Sequence, residues 1–267
     1  MSSCIKQQLS LQKCNKTPYI NCMIRKNVVS KACHPKCTSI SLKKPLLWKG
    51  TAEDAVKRSE GVMSPSWRMF LMSDGSVTRH LGLLVGGQVT IELLSTSEVR
   101  DDEVPDEAKI VEGRKVCRQV VLKSSAHPSV PLVYASSWWS VEQMEACLKD
   151  RQQPIWVSLS RDRTELYREL LTFECGNPSD RLKNIFGLCS INPNKDKRGK
   201  GEVVEKERLG RDDCSSIKLD SDLKPVWGRY YVFWKGGKPL TVIYEVFSTD
   251  LEKYLGPIDV LNCEKGI

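Results

Sequence analysis

The stretch from Trp227 to Phe247, WGRYYVFWKGGKPLTVIYEVF, predicts the centre of the fold. Two runs of apolar, aromatic and β-branched residues flank the sequence KGGK at positions 235–238. Glycine supplies the positive φ angles that a tight turn requires, so the pattern predicts a β-hairpin. The second run contains Glu245, and a carboxylate buried alone is costly. We therefore expect Glu245 to have a function, namely to hold a ligand hydroxyl opposite an arginine from an earlier strand.

The segment before this hairpin predicts two short helices. Ser64 precedes Pro65 and an apolar run, which is typical of a helix N-terminus with proline at the first helical position. A second helix is expected from residue 77, capped by Ser76 or Asp74.

The middle of the chain predicts further strands with short helices between them. Strands are expected over residues 88–99, 115–123, 130–139 and 164–173, although the last of these would also suit a helix. A helix is expected up to residue 148, and an apolar turn or helix over 155–159. This order lacks the regular alternation of strand and helix that a parallel sheet requires. The expected fold class is α+β with an antiparallel sheet.

Composition argues against a nucleic-acid partner and against a membrane-spanning helix. Residues 1–52 hold ten Lys and Arg and no Asp or Glu, which leaves 31 Lys and Arg against 33 Asp and Glu in the remainder. The near neutrality of this remainder argues against a nucleic-acid partner. No apolar run approaches the roughly 20 residues that a membrane-spanning helix needs.

The basic, acid-free composition of residues 1–52 is typical of a disordered organelle transit peptide. Its lysine excess over arginine favours a chloroplast, with the mitochondrion as second choice. Residues 53–267 are expected to form one domain, with a flexible charged insertion at about 190–224. The sequence CHPKC at 33–37 lacks a fourth metal ligand, and the scattered cysteines are interpreted as reduced thiols.

Familiar catalytic motifs are absent from the sequence. It has no P-loop, no GxGxxG after a strand, no GxSxG and no HExxH. His80 and His127 are possible general bases, but surface or helix-end positions are the competing interpretation.

Polar residues inside apolar strands are better candidates. Arg118 alternates with the apolar residues of VCRQVVL (116–122), which places it on the inner face of its strand. Glu245 shares a face with Ile243 and Phe247. Two interpretations stay open: a structural salt bridge between Arg118 and Glu245, or a guanidinium that binds a ligand carboxylate with its planar fork.

Seven short segments in a fixed order resemble the chorismate lyase (chorismate pyruvate-lyase) family. They are DGSVTR (74–79), RQVVL (118–122), QPI (153–155), TELYRE (164–169), WGR (227–229), GKPL (237–240) and EVF (245–247). The resemblance spans roughly residues 65–175 and 225–250. It implies an antiparallel sheet whose helical flaps cover a buried ligand pocket.

The resemblance also implies a reaction and its residues. Pyruvate would be eliminated from chorismate to leave 4-hydroxybenzoate, with no metal and no cofactor. Arg118 would grip the ring carboxylate, the backbone amides of Val77 and Ile155 would bind the same group, and Glu245 would meet the ring hydroxyl. Arg118 and Glu245 are thus the expected catalytic residues. A further cation must meet the pyruvyl carboxylate, and three arginines remain open for this role: Arg79, Arg168 and Arg229.

Trp156 departs from the family pattern, which usually has glycine after the proline and apolar residue of this flap. Tryptophan lacks the freedom of glycine at positive φ and adds a large ring near the pocket. An alternative function is therefore a non-catalytic protein that binds or senses aromatic carboxylates. A third possibility is a scaffold protein in which Arg118 and Glu245 form a purely structural pair. The expected partner is a small molecule, chorismate or a hydroxybenzoate, bound by a monomer.

Overall fold

A computed structural model of the chain describes residues 40–161, 165–188 and 223–259. Within these ranges the strands are β1 (Trp48–Thr51), β2 (Val89–Val99), β3 (Lys115–Ser124), β4 (Pro131–Ser140), β5 (Tyr167–Gly176), β6 (Val226–Lys235) and β7 (Lys238–Phe247). The α-helices are α1 (Ala52–Ser59), α2 (Pro65–Met72), α3 (Val77–Val85), α4 (Val141–Cys147), α5 (Ile155–Arg161), α6 (Asp180–Phe186) and α7 (Glu252–Leu255). Short 3-10 helices span Asp101–Glu103, Asp106–Ile110 and Thr249–Leu251.

The seven described strands form one antiparallel sheet in the order β1-β5-β6-β7-β4-β3-β2. The hairpin predicted from the sequence lies at its centre, and Lys235 pairs with Lys238 across the turn. Gly236 and Gly237 have φ angles of 56° and 75°, which residues with a Cβ rarely adopt. The expected α+β class with an antiparallel sheet is confirmed.

The two faces of the sheet bury different side chains. The front face, which carries Arg118 and Glu245, packs against α1, α2, α3 and α5. The back face, which carries Glu174 and Tyr244, packs against α6 and the 3-10 helix Asp106–Ile110. Since successive side chains of a strand point to opposite faces, the neighbours Tyr244 and Glu245 serve different faces.

Helices α2 and α3 form the first flap, residues 65–85, over the front face. Ser64 accepts a hydrogen bond from the amide of Trp67 at 3.2 Å, and Ser76 accepts one from the amide of Arg79 at 3.3 Å. Both predicted helices are confirmed, and Ser76 rather than Asp74 caps the second. The first flap buries large apolar side chains in the core: Trp67, Phe70, Leu71, Val77 and Leu81.

The second flap, residues 149–161, contains α5. Of the apolar turn or helix expected over residues 155–159, the structure has the helix. Leu159 is buried, whereas Trp156 and Val157 are 41% and 39% exposed. Far less apolar surface therefore holds the second flap to the sheet than holds the first.

The predicted disordered leader over residues 1–52 is too long at its C-terminal end. Strand β1 pairs with β5, Leu42 is buried, and Trp48 packs on Trp227 with ring centroids 5.5 Å apart. A strand of four residues is too short to show a periodic pattern in the sequence. It also lies in the acid-free segment, whose composition predicted a disordered leader. The remainder of the predicted leader, residues 1–39, lies outside the described part of the chain.

Two further segments, for which the sequence predicted no element, contain short helices. Helix α6 buries Leu182 and Phe186, and the segment after β7 buries Leu251 and Leu255. Helices of one or two turns present too few apolar residues for a periodic signal. The charged insertion predicted at about 190–224 falls almost wholly on residues 189–222, which lie outside the described ranges.

The alternative at 164–173 is settled as strand, because β5 spans Tyr167–Gly176 and pairs with β6. None of the helices in the described ranges combines the length and apolar character that crossing a bilayer requires.

Candidate active site

A cavity of ≈ 50 Å³ lies between the front face and the two flaps. Its lining includes the four residues that the sequence put forward as ligand contacts: Val77, Arg118, Ile155 and Glu245. An apolar cavity that accepts benzene measures about 150 Å³. The cavity as it stands is therefore too small for a six-membered ring, and a ligand of that shape requires a flap to move outward.

Arg118 projects from β3 and is only 1% exposed. Its Nε and Nη2 donate to the carbonyl of Arg151 at 2.9 and 2.8 Å, and Nη2 also donates to the carbonyl of Gln153 at 2.9 Å. Burial lowers the pKa of Arg118 to about 10, an effect that the exposed Asp150 opposes. At neutral pH the side chain is thus a desolvated cation, held by backbone carbonyls of the second flap.

Glu245 has two protein partners on β6. Its Oε2 accepts a hydrogen bond from Arg229 Nε at 3.0 Å, and its Oε1 accepts one from the Tyr231 hydroxyl at 2.8 Å. Burial and the adjacent carboxylate raise the pKa of Tyr231 well above its ordinary value, so this hydroxyl keeps its proton and donates it to the bond. The suggested structural pair of Arg118 with Glu245 is wrong, because the ion pair of Glu245 is with Arg229.

Two further arginines of the front face hold the turn of the first flap. Arg229 donates through Nη1 to the carbonyls of Leu71 and Ser73, the latter at 2.9 Å. Arg168 donates through Nη1 to the carbonyl of Gly75, and its guanidinium lies over two rings, 4.3 Å from the centroid of Tyr231 and 4.7 Å from that of Phe233. Of these two arginines, Arg168 lines the cavity.

Val77 and Ile155 are the first residues of α3 and α5. The first N–H groups of a helix have no acceptor within it. Within the described residues, neither amide donates to another protein group. Each flap therefore brings an unused backbone donor to the cavity.

The other sequence candidates lie away from the cavity. His127 is exposed in the turn between β3 and β4, and Arg79 is exposed on α3. His80 is half-buried on α3; burial lowers its pKa, and three nearby cations lower it further: Arg229, Arg168 and Arg79. None of these residues belongs to the lining of the cavity.

Trp156, the second residue of α5, is part of the lining of the cavity. Its backbone is helical, so the conflict expected for tryptophan at positive φ does not arise. The indole remains 41% exposed, and the ring therefore borders the cavity without filling it.

Tyr231 is a cavity residue with a polar contact to Glu245 that the sequence analysis missed. It lies two positions after Arg229 and two before Phe233 on the same strand. Strand alternation therefore placed it on the inner face, and this was the available signal. In the described part of the chain no group of three or more His, Cys, Asp or Glu could hold a metal ion.

Comparisons with known proteins place the chain in a family. The family model for Rv2949c-like chorismate pyruvate-lyases matches residues 71–191 and 206–255, which include all four cavity residues predicted from the sequence. The uncharacterized protein ycf21 of Cyanophora paradoxa is 28% identical over 206 residues, which is 76% of this chain and 88% of that protein. The uncharacterized protein ycf21 of Porphyra purpurea is 26% identical over 192 residues, which is 70% of this chain and 83% of that protein. Among solved structures, the effector domain of PhnF from Mycobacterium smegmatis has a TM-score of 0.42 and 11% identity, covering 66% of this chain and 90% of that one.

Proposed function

The chain belongs to the family of Rv2949c-like chorismate pyruvate-lyases, and from this premise we propose that it eliminates pyruvate from chorismate and leaves 4-hydroxybenzoate. The observation that carries the proposal is one cavity lined by a desolvated arginine, a buried glutamate and the first amides of two flaps.

The register of the sheet supports a ring held between Arg118 and Glu245. Arg118 pairs with Ser137, and Glu245 pairs with Ala135, two residues away on the same strand. At about 4.8 Å per strand and about 3.4 Å per residue, their Cα atoms lie about 12 Å apart. The small side chain of Ala135 lies between them in the lining. Two long side chains at this spacing can grasp opposite ends of a ring.

The reaction balances without an external oxidant or reductant. The bond between the ring carbon and the ether oxygen breaks, and its electron pair leaves with the enolpyruvyl group. The hydroxyl-bearing ring carbon loses a proton, and the methylene carbon of the leaving group gains one as it becomes pyruvate. Aromatisation of the ring supplies the driving force, so the protein needs chiefly to orient the dianion and stabilise its developing charge.

Each cavity group has a role in this scheme. Arg118, with the amides of Val77 and Ile155, would bind the ring carboxylate and fix the orientation of the ring. Glu245 would accept a hydrogen bond from the ring hydroxyl, which is attached to the carbon that loses its proton. Tyr231 and Arg229 hold the Glu245 carboxylate in place for this contact.

Closure of the second flap is part of the proposal. A ring must displace the flap to enter, because the cavity is too small to receive it. Arg118 would then exchange some flap carbonyls for the ligand carboxylate, and flap closure would exclude water from the reacting ether.

A non-catalytic protein that binds aromatic carboxylates remains the competing function, because it needs the same contacts to the ring. The feature put forward in its favour was Trp156. The helical, half-exposed position of this residue leaves the lining of the cavity intact, so it does not favour the competing function.

We also propose a plastid location. The relatives are ycf21 proteins of algae, and ycf genes are plastid-encoded there. No comparison supports the mitochondrial alternative. A transit peptide rests on the composition of the first residues alone.

The test incubates the full chain with chorismate and measures pyruvate and 4-hydroxybenzoate over time. Equimolar formation of both products above the uncatalysed rate supports the lyase. If no product forms but 4-hydroxybenzoate raises the thermal unfolding temperature, the protein is a binder, since a ligand of the native state stabilises it by mass action. Absence of both effects contradicts both functions.

A further inference from the structure

We propose that Arg168 is the specificity-determining cation of the cavity, and that it binds a second carboxylate at the end opposite Arg118. The proposal rests on the proposed function, since that second carboxylate would be the pyruvyl group of the substrate. It defines the ligand class as planar-ring dicarboxylates rather than simple aromatic monocarboxylates.

The hydrogen bonding of Arg168 is incomplete. The residue is 8% exposed, and its Nε is buried without a partner. Within the described residues its guanidinium donates one hydrogen bond, to the carbonyl of Gly75. It forms no ion pair there, although burying an unpaired charge is costly. A cation in this state at a cavity wall is suited to an anionic ligand.

The charge balance of the front face favours a ligand with two negative charges. Glu245 is neutralised by Arg229, the ion pair next to the cavity. Arg118 and Arg168 then remain in the lining, and within the described part of the chain neither has a carboxylate within ion-pair distance. Two surplus positive charges in a desolvated cavity match a dianion, whereas a monocarboxylate would leave one of them uncompensated.

The positions of these two arginines favour the same kind of ligand. Arg118 lies on β3 and Arg168 on β5, four strands apart in the order β3-β4-β7-β6-β5. At about 4.8 Å per strand their Cα atoms are roughly 20 Å apart, so the side chains enter the cavity from opposite ends. Glu245, on β7, lies between them. This order matches a ring that carries one carboxylate directly, a hydroxyl at the opposite end of the ring and a second carboxylate on an ether arm beside that hydroxyl.

The two competing arginines fit this role less well. Arg79 is exposed on α3 and does not line the cavity. Arg229 also has a buried nitrogen without a partner, Nη2, but it does not line the cavity, and Glu245 and two flap carbonyls engage its other nitrogens. The guanidinium of Arg168 also lies over the rings of Tyr231 and Phe233. These contacts orient the side chain and do not use its hydrogen-bond donors.

The experiment compares two ligands on the full chain by isothermal titration calorimetry. One is 4-hydroxybenzoate; the other is 3-(1-carboxyvinyloxy)-4-hydroxybenzoate, an aromatic ether that carries both carboxylates and the ring hydroxyl, and whose hydroxyl-bearing carbon has no hydrogen to lose by elimination. Wild type should bind the dicarboxylate at least about tenfold more tightly. Arg168→Gln should weaken dicarboxylate binding by about 10- to 100-fold, as expected for charged hydrogen bonds, and change 4-hydroxybenzoate binding by no more than about threefold.

Arg79→Gln is the matched control and should leave both affinities within about twofold of wild type. Arg168→Lys keeps the charge but loses the planar fork, so it should restore part of the dicarboxylate affinity. This second variant also serves if Arg168→Gln fails to fold.

Equal weakening of both ligands in the Arg168 variants would assign the residue to the Gly75 tether alone and overturn the proposal, as would no change in either affinity. Chorismate turnover without selective loss of dicarboxylate binding keeps the lyase and removes the role of Arg168. Selective loss without turnover keeps that role and removes the lyase. Binding of neither ligand contradicts both.

Discussion

On the front face of the sheet the buried ionisable side chains include Arg118, Arg168, Arg229 and Glu245, whereas on the back face the buried acid Glu174 faces a tyrosine. Each face therefore contains one buried glutamate that accepts a hydrogen bond from a tyrosine hydroxyl, Tyr231 in front and Tyr244 behind. Only the front glutamate has an arginine within ion-pair distance among the described residues.

The back face accommodates its buried glutamate, Glu174, without an arginine partner among the described residues. Burial raises the pKa of Glu174, and the hydrogen bond from Tyr244 acts in the opposite direction. Gly228 leaves room for this contact, since a Cβ at that position would lie 3.0 Å from the Tyr244 hydroxyl. Lys44 and Lys49 act in the same direction as Tyr244, but neither forms an ion pair with Glu174 among the described residues, while the front face retains charges beyond its own needs. We attribute that surplus to a ligand.

The largest expected effect concerns the cation at one end of the cavity. Arg118→Ala should remove ligand binding and lower kcat/KM by about a thousandfold. The variant loses the charge pair between Arg118 and the ring carboxylate of the substrate, and truncating one partner of a desolvated charge pair costs about 2–5 kcal/mol. The measurement is pyruvate release from chorismate under subsaturating conditions. Arg100→Ala, at an exposed arginine, is the control and should retain the wild-type rate. An unchanged rate in the Arg118 variant would end the catalytic assignment.

The paired glutamates provide the next comparison. Glu245→Gln leaves Arg229 buried without a counter-charge and should lower the free energy of unfolding by about 3–5 kcal/mol. Glu174→Gln should lower it far less at neutral pH, because burial already disfavours the charge that the substitution removes. Urea unfolding followed by circular dichroism gives both values. Similar losses in the two variants would show that the faces do not differ in this way.

The paired tyrosines test the same contrast through activity. Tyr231→Phe removes the hydroxyl that holds Glu245 in place and should lower kcat about tenfold, as expected for one hydrogen bond. Tyr244→Phe removes the corresponding hydroxyl on the back face and should leave kcat within about twofold. Steady-state kinetics with chorismate measures both. If Tyr244→Phe proves as damaging as Tyr231→Phe, the assignment of chemistry to one face is wrong.

The smallest expected effect is a pH dependence of stability that arises on the back face. Because the pKa of Glu174 is raised on folding, the folded protein retains a proton that the unfolded chain releases. The corresponding stability is fully present below the ordinary pKa of 4.5 and is lost as the pH rises through the folded pKa. Wild type should therefore lose stability relative to Glu174→Gln as the pH rises above 4.5, as measured by urea unfolding at several pH values. A difference between the two proteins that does not change with pH contradicts this account.

The sequence was most informative where local rules decide the structure. The hairpin, the capping serines Ser64 and Ser76, and the inner-face positions of Arg118 and Glu245 follow from turn chemistry and alternation. These rules need only residues that are close in sequence.

The pairing between distant segments could not be predicted from the sequence. The ion partner of Glu245 is decided by the register of β6 against β7, in which Arg229 lies directly opposite. The strand Trp48–Thr51 exists because β5 offers it an edge, which its own four residues do not reveal. The attachment of each flap by arginines of the sheet likewise depends on contacts across long separations, such as Arg229 with Leu71.

The most direct test of the front-face cavity is a crystal structure of the full chain with 4-hydroxybenzoate. We expect the carboxylate within about 3 Å of the Arg118 guanidinium and the hydroxyl in contact with the Glu245 carboxylate, with the second flap displaced from its ligand-free position. A ligand bound elsewhere, or bound here with neither residue in contact, would contradict this expectation.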